Sequence, residues 1–402
     1  MRVVFVSEFY SRNVGYTENC LPKALAALGC EVHVVTSQLQ VYGHARYYDD
    51  VFRGFLGDRE QPLGSFEIDG YWVHRLPYKL VNIPFLNRET IYGYIQIQGH
   101  APFIQNLKPD IIQTRIPSDL NTFPMAMLSQ RTGIPLFTEC HQHMSVMRPA
   151  LREGNAGRAF RIAYGLTRTA PGRRVGKIMR KCYAIAEDCA EVAARFYGFP
   201  PEKVEVLSLG TDTDHFCPGQ SGFRGKMGWA EDEVAAVYTG RFTEAKNPLL
   251  LAKSIARLRG QGKPYRALFV GDGPQRSSIE SLEGCQILDY IPYSELPDIY
   301  RAADIAVWPR QESMSMLDAS ACGAPIIVSD TMGQKQRVQG NGLFYREQDE
   351  DSLADALLNL ESKDLRHRMG LQGRQLMLDQ FSWRRNAAQR MRDYEAACLS
   401  RV

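Results

Sequence analysis

Two cations five residues apart, Arg241 and Lys246, follow the apolar run Ala235-Ala236-Val237-Tyr238-Thr239 and the glycine Gly240. Arginine brings a planar fork that matches phosphate oxygens and lysine a compact charge, so the pair suits a diphosphate. Asn247-Pro248 then signals a helix start, which places both cations near a helix N-terminus. A second run, Arg266-Ala267-Leu268-Phe269-Val270, ends in Gly271-Asp272-Gly273-Pro274, where glycine permits conformations and close approaches denied to other residues. A third, Ile305-Ala306-Val307-Trp308-Pro309, leads through Glu312, Ser313, Met314 and Ser315 to Asp318 and the small residues Ala319, Ser320, Ala321 and Gly323. Ser313 and Ser315 are candidate N-caps, and a helix begun there aims free backbone N–H groups at an anion. Asp318, one turn in, offers a carboxylate to vicinal hydroxyls such as those of a ribose. Singly, these are solvated loop cations, an ordinary strand-to-helix turn and a carboxylate complementing a helix dipole. In this order they supply what an activated sugar nucleotide needs.

The elements that must position these groups follow from pattern. Strand-length apolar runs alternate with longer amphipathic segments, the mark of parallel sheets with crossover helices. Strands are expected at about 2–7, 31–36, 71–76, 110–114, 134–139, 182–186 and 203–207, then at about 234–239, 265–270, 285–289, 304–308, 325–328 and 341–344. Turn formers gather between the halves in Gly210, Asp212, Pro218, Gly219 and Ser221, which places a linker at about 208–222. The stretch 365–399 is helical in composition but broken around Phe381-Ser382-Trp383, with Ser382 as cap of a final helix. A length of 402 residues argues for two domains, expected at 1–208 and 209–380, with 381–402 a helix crossing back to the first. In such doubly wound domains ligands sit at the carboxyl ends of the strands, which places the deep site in a cleft between the halves.

Composition narrows the class. Hydrophobic residues make up 44% and charged residues 23%, as in soluble globular proteins. A net charge of +3, with no basic-aromatic recognition motif, argues against a nucleic-acid partner. The charge is uneven: residues 1–200 hold 23 Lys+Arg against 17 Asp+Glu, residues 201–402 hold 25 against 28. The basic excess peaks in Arg158, Arg161, Arg168, Arg173, Arg174, Lys177, Arg180 and Lys181, a run without an acid that suits an anionic leaflet or a solvated face. Nine scattered cysteines without a C-x-x-C pair fit free thiols in a reducing cytosol, and no metal-ligand spacing is visible. The first residues read as a buried strand rather than a signal peptide, and no apolar run reaches membrane-spanning length.

Gly240-Arg241 to Lys246, Gly271-Asp272-Gly273-Pro274, Asp318-Ala319-Ser320-Ala321-Cys322-Gly323-Ala324-Pro325, the linker Leu209-Gly210-Thr211-Asp212 to Phe216-Cys217-Pro218, and the closing Phe381-Ser382-Trp383 together resemble the retaining glycosyltransferases of family 4. The resemblance covers nearly the whole chain and implies an α/β fold of the GT-B type: two doubly wound Rossmann-like domains facing a central cleft, with a C-terminal helix returning to the N-terminal domain. It implies that Arg241 and Lys246 hold the donor diphosphate and that Gly240, Gly271 and Gly273 line the nucleotide pocket. Tyr290 and Ile291 correspond to the loop that recognises the base, with Ser313, Met314 and Ser315 beside the donor and Asp318 in the place of the ribose-binding glutamate. Gly15 matches the glycine loop near the diphosphate and acceptor, and His141 a histidine that contacts the transferred sugar. From the residues alone His143 is not separable from His141, and Glu139 stands on the same strand end.

Two departures stand out. Counting back from Asp318, Arg310 occupies the place of the family's first glutamate and Glu312 comes two positions late; Tyr16 replaces the second glycine of the usual pair after Gly15. The implied reaction moves a hexose-type sugar from a nucleoside diphosphate, UDP or GDP, to an acceptor hydroxyl with retention, with no metal and no separate cofactor. The acceptor is a glycan, lipid-linked or small molecule, met by residues 1–200, where the basic run and Tyr92, Tyr94, Phe103 and Phe123 suit a membrane and surface polysaccharide or glycolipid assembly. That places the chain in the cytoplasm or at the inner membrane face. A nucleotide-sugar epimerase and a silent nucleotide-sugar-binding regulator or scaffold are the alternatives.

Overall fold

The computed structural model describes residues 1–45, 48–81, 95–147, 157–310 and 312–400. The chain divides into two compact units. Unit 1 comprises residues 1–12, 16–209 and 386–402, and unit 2 comprises 13–15 and 210–385.

Among the described residues, unit 1 holds ten strands: β1 (Arg2–Val6), β2 (Glu31–Ser37), β3 (Gly64–Ile68), β4 (Tyr71–Leu76), β5 (Tyr78–Leu80), β6 (Ile95–Ile97), β7 (Ile111–Thr114), β8 (Leu136–Cys140), β9 (Lys181–Ala184) and β10 (Val204–Val206). Eight form one sheet in the order β10-β9-β8-β7-β1-β2-β4-β3, parallel except for β3, and β5 pairs with β6 alone. Sequence pattern located the parallel strands to within a residue or two. It missed β3, β5 and β6, short strands in which polar or charged residues interrupt the apolar signal.

Unit 2 carries β11 (Val234–Thr239), β12 (Tyr265–Val270), β13 (Cys285–Leu288), β14 (Ile305–Trp308), β15 (Ile326–Ser329) and β16 (Gly342–Tyr345), all parallel, in the order β13-β12-β11-β14-β15-β16. Every residue of β11, β14 and β15 is buried, as expected of central strands covered on both faces. In both sheets the first strand lies between its successor and a later strand. β1 stands between β2 and β7, β11 between β12 and β14, and each gap is a topological switch point.

The final helix, Trp383–Leu399, starts where Ser382 Oγ accepts the Arg385 N–H at 3.2 Å, the cap the sequence announces. From Asn386 onward it belongs to unit 1. No helix among the described residues is long and apolar enough to cross a membrane.

Candidate functional site

Register brings the chemistry of unit 2 together. β11 pairs with β12 so that Thr239 faces Val270, which sets Gly240 beside Gly271 at the carboxyl edge. Gly240 N donates to Val270 O at 3.0 Å and Phe242 N to Asp272 O at 2.8 Å. A Cβ on Gly271 would stand 2.0 Å from Gly240 O and one on Gly273 2.7 Å from Phe242 O, and both glycines have positive φ. The close approach these glycines permit is therefore first that of one loop to the other. Any proximity to a nucleotide comes in addition.

Lys246 reaches over the β11/β14 switch point, where its Nζ donates to the Glu312 carbonyl at 2.9 Å. Burial, then the charge of Arg241, push the Lys246 amine down to about 8, against a smaller opposing pull from Glu312. Arg241 is exposed, and its carbonyl accepts from Tyr238 Oη at 2.9 Å. Among the described residues neither cation forms an ion pair with a carboxylate. The helix announced by Asn247-Pro248 does begin at Pro248, the expected position for a proline.

Glu312 and Arg310 each have work elsewhere. Glu312 Oε1 accepts the N–H groups of Gly333 at 2.6 Å and Gln334 at 3.0 Å, and Oε2 lies 3.4 Å from the buried Arg337 guanidinium. Arg310 pairs with Glu347 at 3.0 Å. The helix after β14 runs Ser315–Ala321 with Met314 before it and no side-chain cap. This corrects the expectation that Ser313 or Ser315 caps it: their hydroxyls bond each other at 2.7 Å. Asp318 is buried, accepts from Thr211 Oγ1 at 2.6 Å, and is pushed up to about 7 by burial despite that bond. Thr211 lies in the linker, and nothing in its spacing pointed to Asp318. Tyr290 and Ile291 follow β13, with Ile291 packed on the unit's core. Gly15 falls in unit 2, where a Cβ would stand 2.3 Å from the Tyr293 ring.

Unit 1 presents a different arrangement at its own carboxyl edge. His141, just after β8, bonds through Nε2 to Glu139 Oε2 at 2.6 Å, and Glu139 Oε1 lies 2.5 Å from the fully buried Arg390. Burial pushes the Glu139 carboxyl up, but Arg390 and His141 outweigh it and hold it at about 2. Arg390 sits on the final helix, some 250 residues away in sequence, and no local pattern exposes such a partner.

At the β1/β7 switch point, Glu8 and Asp119 form a buried carboxyl pair that sequence reasoning missed. Burial raises both, but Asp119 and Arg115 hold the Glu8 carboxyl low while Glu8 drives that of Asp119 further up. Their position just beyond strand ends that flank the switch point was the available signal.

His143 does not share the His141 network. It pairs with Asp188 and approaches Cys189, bringing together three ligand-type side chains where sequence spacing showed none.

The basic run is less exposed than its composition suggests. It folds as helix Arg158–Tyr164, a π-helical turn Gly165–Thr169, helix Ala170–Ile178 and then β9. Arg168 is buried and donates to Ser118 O, and Lys181 pairs with Glu205 and Asp393. Arg158, Arg173, Arg174, Lys177 and Arg180 remain exposed, with Ile162 and Leu166. Phe103 packs on the unit's core, Phe123 is partly exposed, and Tyr92 and Tyr94 lie outside the described residues.

Residues 21–215 match the profile of "Glycosyltransferase Family 4" and residues 233–363 that of "Glycosyl transferases group 1". The chain belongs to glycosyltransferase family 4. A D-inositol 3-phosphate glycosyltransferase of Rhodococcus erythropolis is 25% identical over 291 residues, 67% of this chain and 64% of that protein. One from Saccharomonospora viridis is 26% identical over 277 residues, 63% of each. This glycosyltransferase chain thus spans a little under two thirds of the length of those relatives. Among solved structures it resembles sucrose-phosphate synthase of Thermosynechococcus elongatus, with a TM-score of 0.68, 19% identity and 100% of both chains covered. It also resembles Anabaena HepE in complex with UDP, with a TM-score of 0.67, 15% identity and 99% and 100% covered. These likenesses establish the GT-B fold for this family 4 member, with a mainly parallel α/β sheet in unit 1 and a wholly parallel one in unit 2.

Proposed function

We propose that the protein transfers a hexose-type sugar from a nucleoside diphosphate donor to an acceptor hydroxyl, with retention at the anomeric carbon and no metal in the transfer step. One observation carries this reading: Lys246 is half-buried beside a second cation and, among the described residues, no carboxylate pairs with either, at the switch point of unit 2. A partly desolvated ammonium beside a like charge is costly until an anion arrives. A diphosphate is that anion, and the same charges then stabilise it as it departs. Buried Asp318 with Thr211 is assigned to the ribose, Tyr290 and Ile291 to the base, and the imidazole of His141, oriented by Glu139, to sugar hydroxyls. The departing phosphate helps to deprotonate the acceptor, so no enzymic nucleophile is required.

UDP is the first base to test, since HepE was solved with it, with GDP second. D-inositol 3-phosphate, named for the relatives, is the first small acceptor. A glycan or lipid-linked acceptor for polysaccharide or glycolipid assembly is the next class. It is supported by Ile162 and Leu166, exposed among the solvent-facing cations Arg158, Arg173, Arg174, Lys177 and Arg180, a surface suited to peripheral contact with an anionic membrane.

One observation favours a silent nucleotide-sugar binder instead: the Glu312 carboxylate is occupied by backbone N–H groups and Arg337. A panel of UDP- and GDP-sugars, scored by thermal shift and by slow nucleotide release, separates the readings. Transferase activity predicts a shift selective for one donor, release of free nucleotide, and loss of both in Arg241→Ala. A shift without release under any acceptor selects the silent binder.

A further inference from the structure

The loop leaving β8 and the first turn of the helix Glu187–Tyr197 meet at three side chains that the transfer reading does not use. His143 Nδ1 lies 3.0 Å from Asp188 Oδ2 and 3.7 Å from Cys189 Sγ, and one donor atom from each residue falls within 4.8 Å of the others. We propose that His143, Asp188 and Cys189 form a binding site for a thiophilic divalent transition-metal ion, of the zinc and cobalt kind.

The distances are those of a coordination sphere. Bonds of about 2.0–2.1 Å to nitrogen or oxygen and about 2.3 Å to sulfur, set tetrahedrally, put neighbouring donors about 3.3–3.6 Å apart. The two separations from His143, 3.0 and 3.7 Å, bracket that range, and the Asp188 and Cys189 donors lie within 4.8 Å of each other, so an ion enters with side-chain adjustment. The carboxylate is already held, since Met144 N donates to Asp188 Oδ2 at 3.3 Å. The His143 and Asp188 side chains are 44% and 42% exposed and provide the entry, with Cys189 buried beneath them.

Chemistry selects the ion. The positive end of the helix Glu187–Tyr197 lies at Asp188 and Cys189 and opposes any cation there. A hard dication held by one carboxylate gains too little against that field. A thiolate adds a second negative charge and a soft ligand, which suits zinc or cobalt over magnesium or calcium. As the metal–sulfur bond forms, the Cys189 thiol gives its proton to solvent, and two anionic ligands then balance the dication. The fourth position is left to water. The ion would fasten the loop that begins at His141 to the helix behind it, an effect separate from donor binding.

Cobalt(II) titration of the metal-free protein tests this directly. The expected result is roughly one equivalent bound with a near-ultraviolet thiolate-to-cobalt charge-transfer band, absent in Cys189→Ser. His143→Asn, on the exposed side, should abolish tight binding while leaving the melting temperature of the metal-free protein unchanged, which guards against a folding defect in the cysteine variant. Absence of the band in the wild type, or its persistence in Cys189→Ser through another of the nine cysteines, would overturn the proposal.

Discussion

Each unit buries a cation at or near the carboxyl edge of its sheet, and the two have opposite fates. Arg390 in unit 1 is fully buried, yet against the penalty of burial Glu139, helped by Tyr394 and Tyr183, holds its guanidinium more firmly protonated than usual. Lys246 in unit 2 is less deeply buried, meets Arg241 instead of a carboxylate, and falls to about 8. The same desolvation acts on both, and the partner decides the outcome. A charge with its counter-ion built into the chain is part of the core. A charge without one marks a place where the counter-ion is a ligand.

The largest effect expected from breaking that contrast is on stability. Glu139→Gln strands Arg390 without a counter-charge and should cost about 3–5 kcal/mol, read from the denaturant midpoint. Lys246→Met should cost nothing in the free protein. The pH dependences run in opposite senses. Glu139 is depressed from 4.5 to about 2, so its contribution is present above 4.5 and is lost as pH falls toward 2. Lys246 is depressed from 10.5 to about 8, so the unfolded chain binds more protons between these values and stability rises with pH across that window. A Glu139→Gln cost below about 1 kcal/mol would remove the distinction between the two sites.

Next in size is the effect on binding. Removing the Arg241 fork deletes charge-assisted hydrogen bonds worth about 1.5–3 kcal/mol, roughly ten- to a hundredfold in Kd for UDP. Exposed Arg241 should leave the melting temperature of the free protein unchanged, in contrast to Glu139→Gln. Isothermal titration and thermal melts of both variants make the comparison.

How much of this was legible beforehand differed between the units for a physical reason. In unit 2 the chemistry is carried by loops that follow successive parallel strands, so proximity in the fold repeats proximity in the pattern, and Arg241, Lys246, Gly271 and Glu312 could be grouped from sequence. In unit 1 the decisive contacts join residues far apart. Arg390 reaches Glu139 from the final helix, and Asp188 with Cys189 reaches His143 from the next helix but several. Periodicity announces each element but not which side chains will meet. The two misread serines fail for a local reason: Met314, between them, takes the cap position of the helix that starts at Ser315, and the two hydroxyls satisfy each other.

A smaller effect is the pH dependence of nucleotide binding. The ammonium form of Lys246 attracts a diphosphate, so UDP affinity should be constant below about pH 8 and fall above it as the amine loses its proton. Bound diphosphate favours the charged amine, which moves the midpoint in the complex upward and couples binding to proton uptake. Lys246→Arg, charged throughout, should flatten the profile. A wild-type profile already flat to pH 10 would detach Lys246 from the anion.

The smallest expected effect concerns Glu312, where the two kinds of site meet in one residue. Its backbone carbonyl receives Lys246, on the ligand side of the comparison, while its carboxylate holds Gly333, Gln334 and Arg337, on the built-in side. Glu312→Gln keeps an acceptor for the two N–H groups and removes the charge facing Arg337, so a stability loss of about 1 kcal/mol is expected, with UDP affinity nearly unchanged. Turnover of the donor then discriminates between the roles. If the carboxylate only anchors the 333–337 segment, kcat and KM should shift little and together. If it swings to the transferred sugar during reaction, kcat should fall while KM and the melting temperature stay close to wild type, because an interaction made only in the transition state has then been removed.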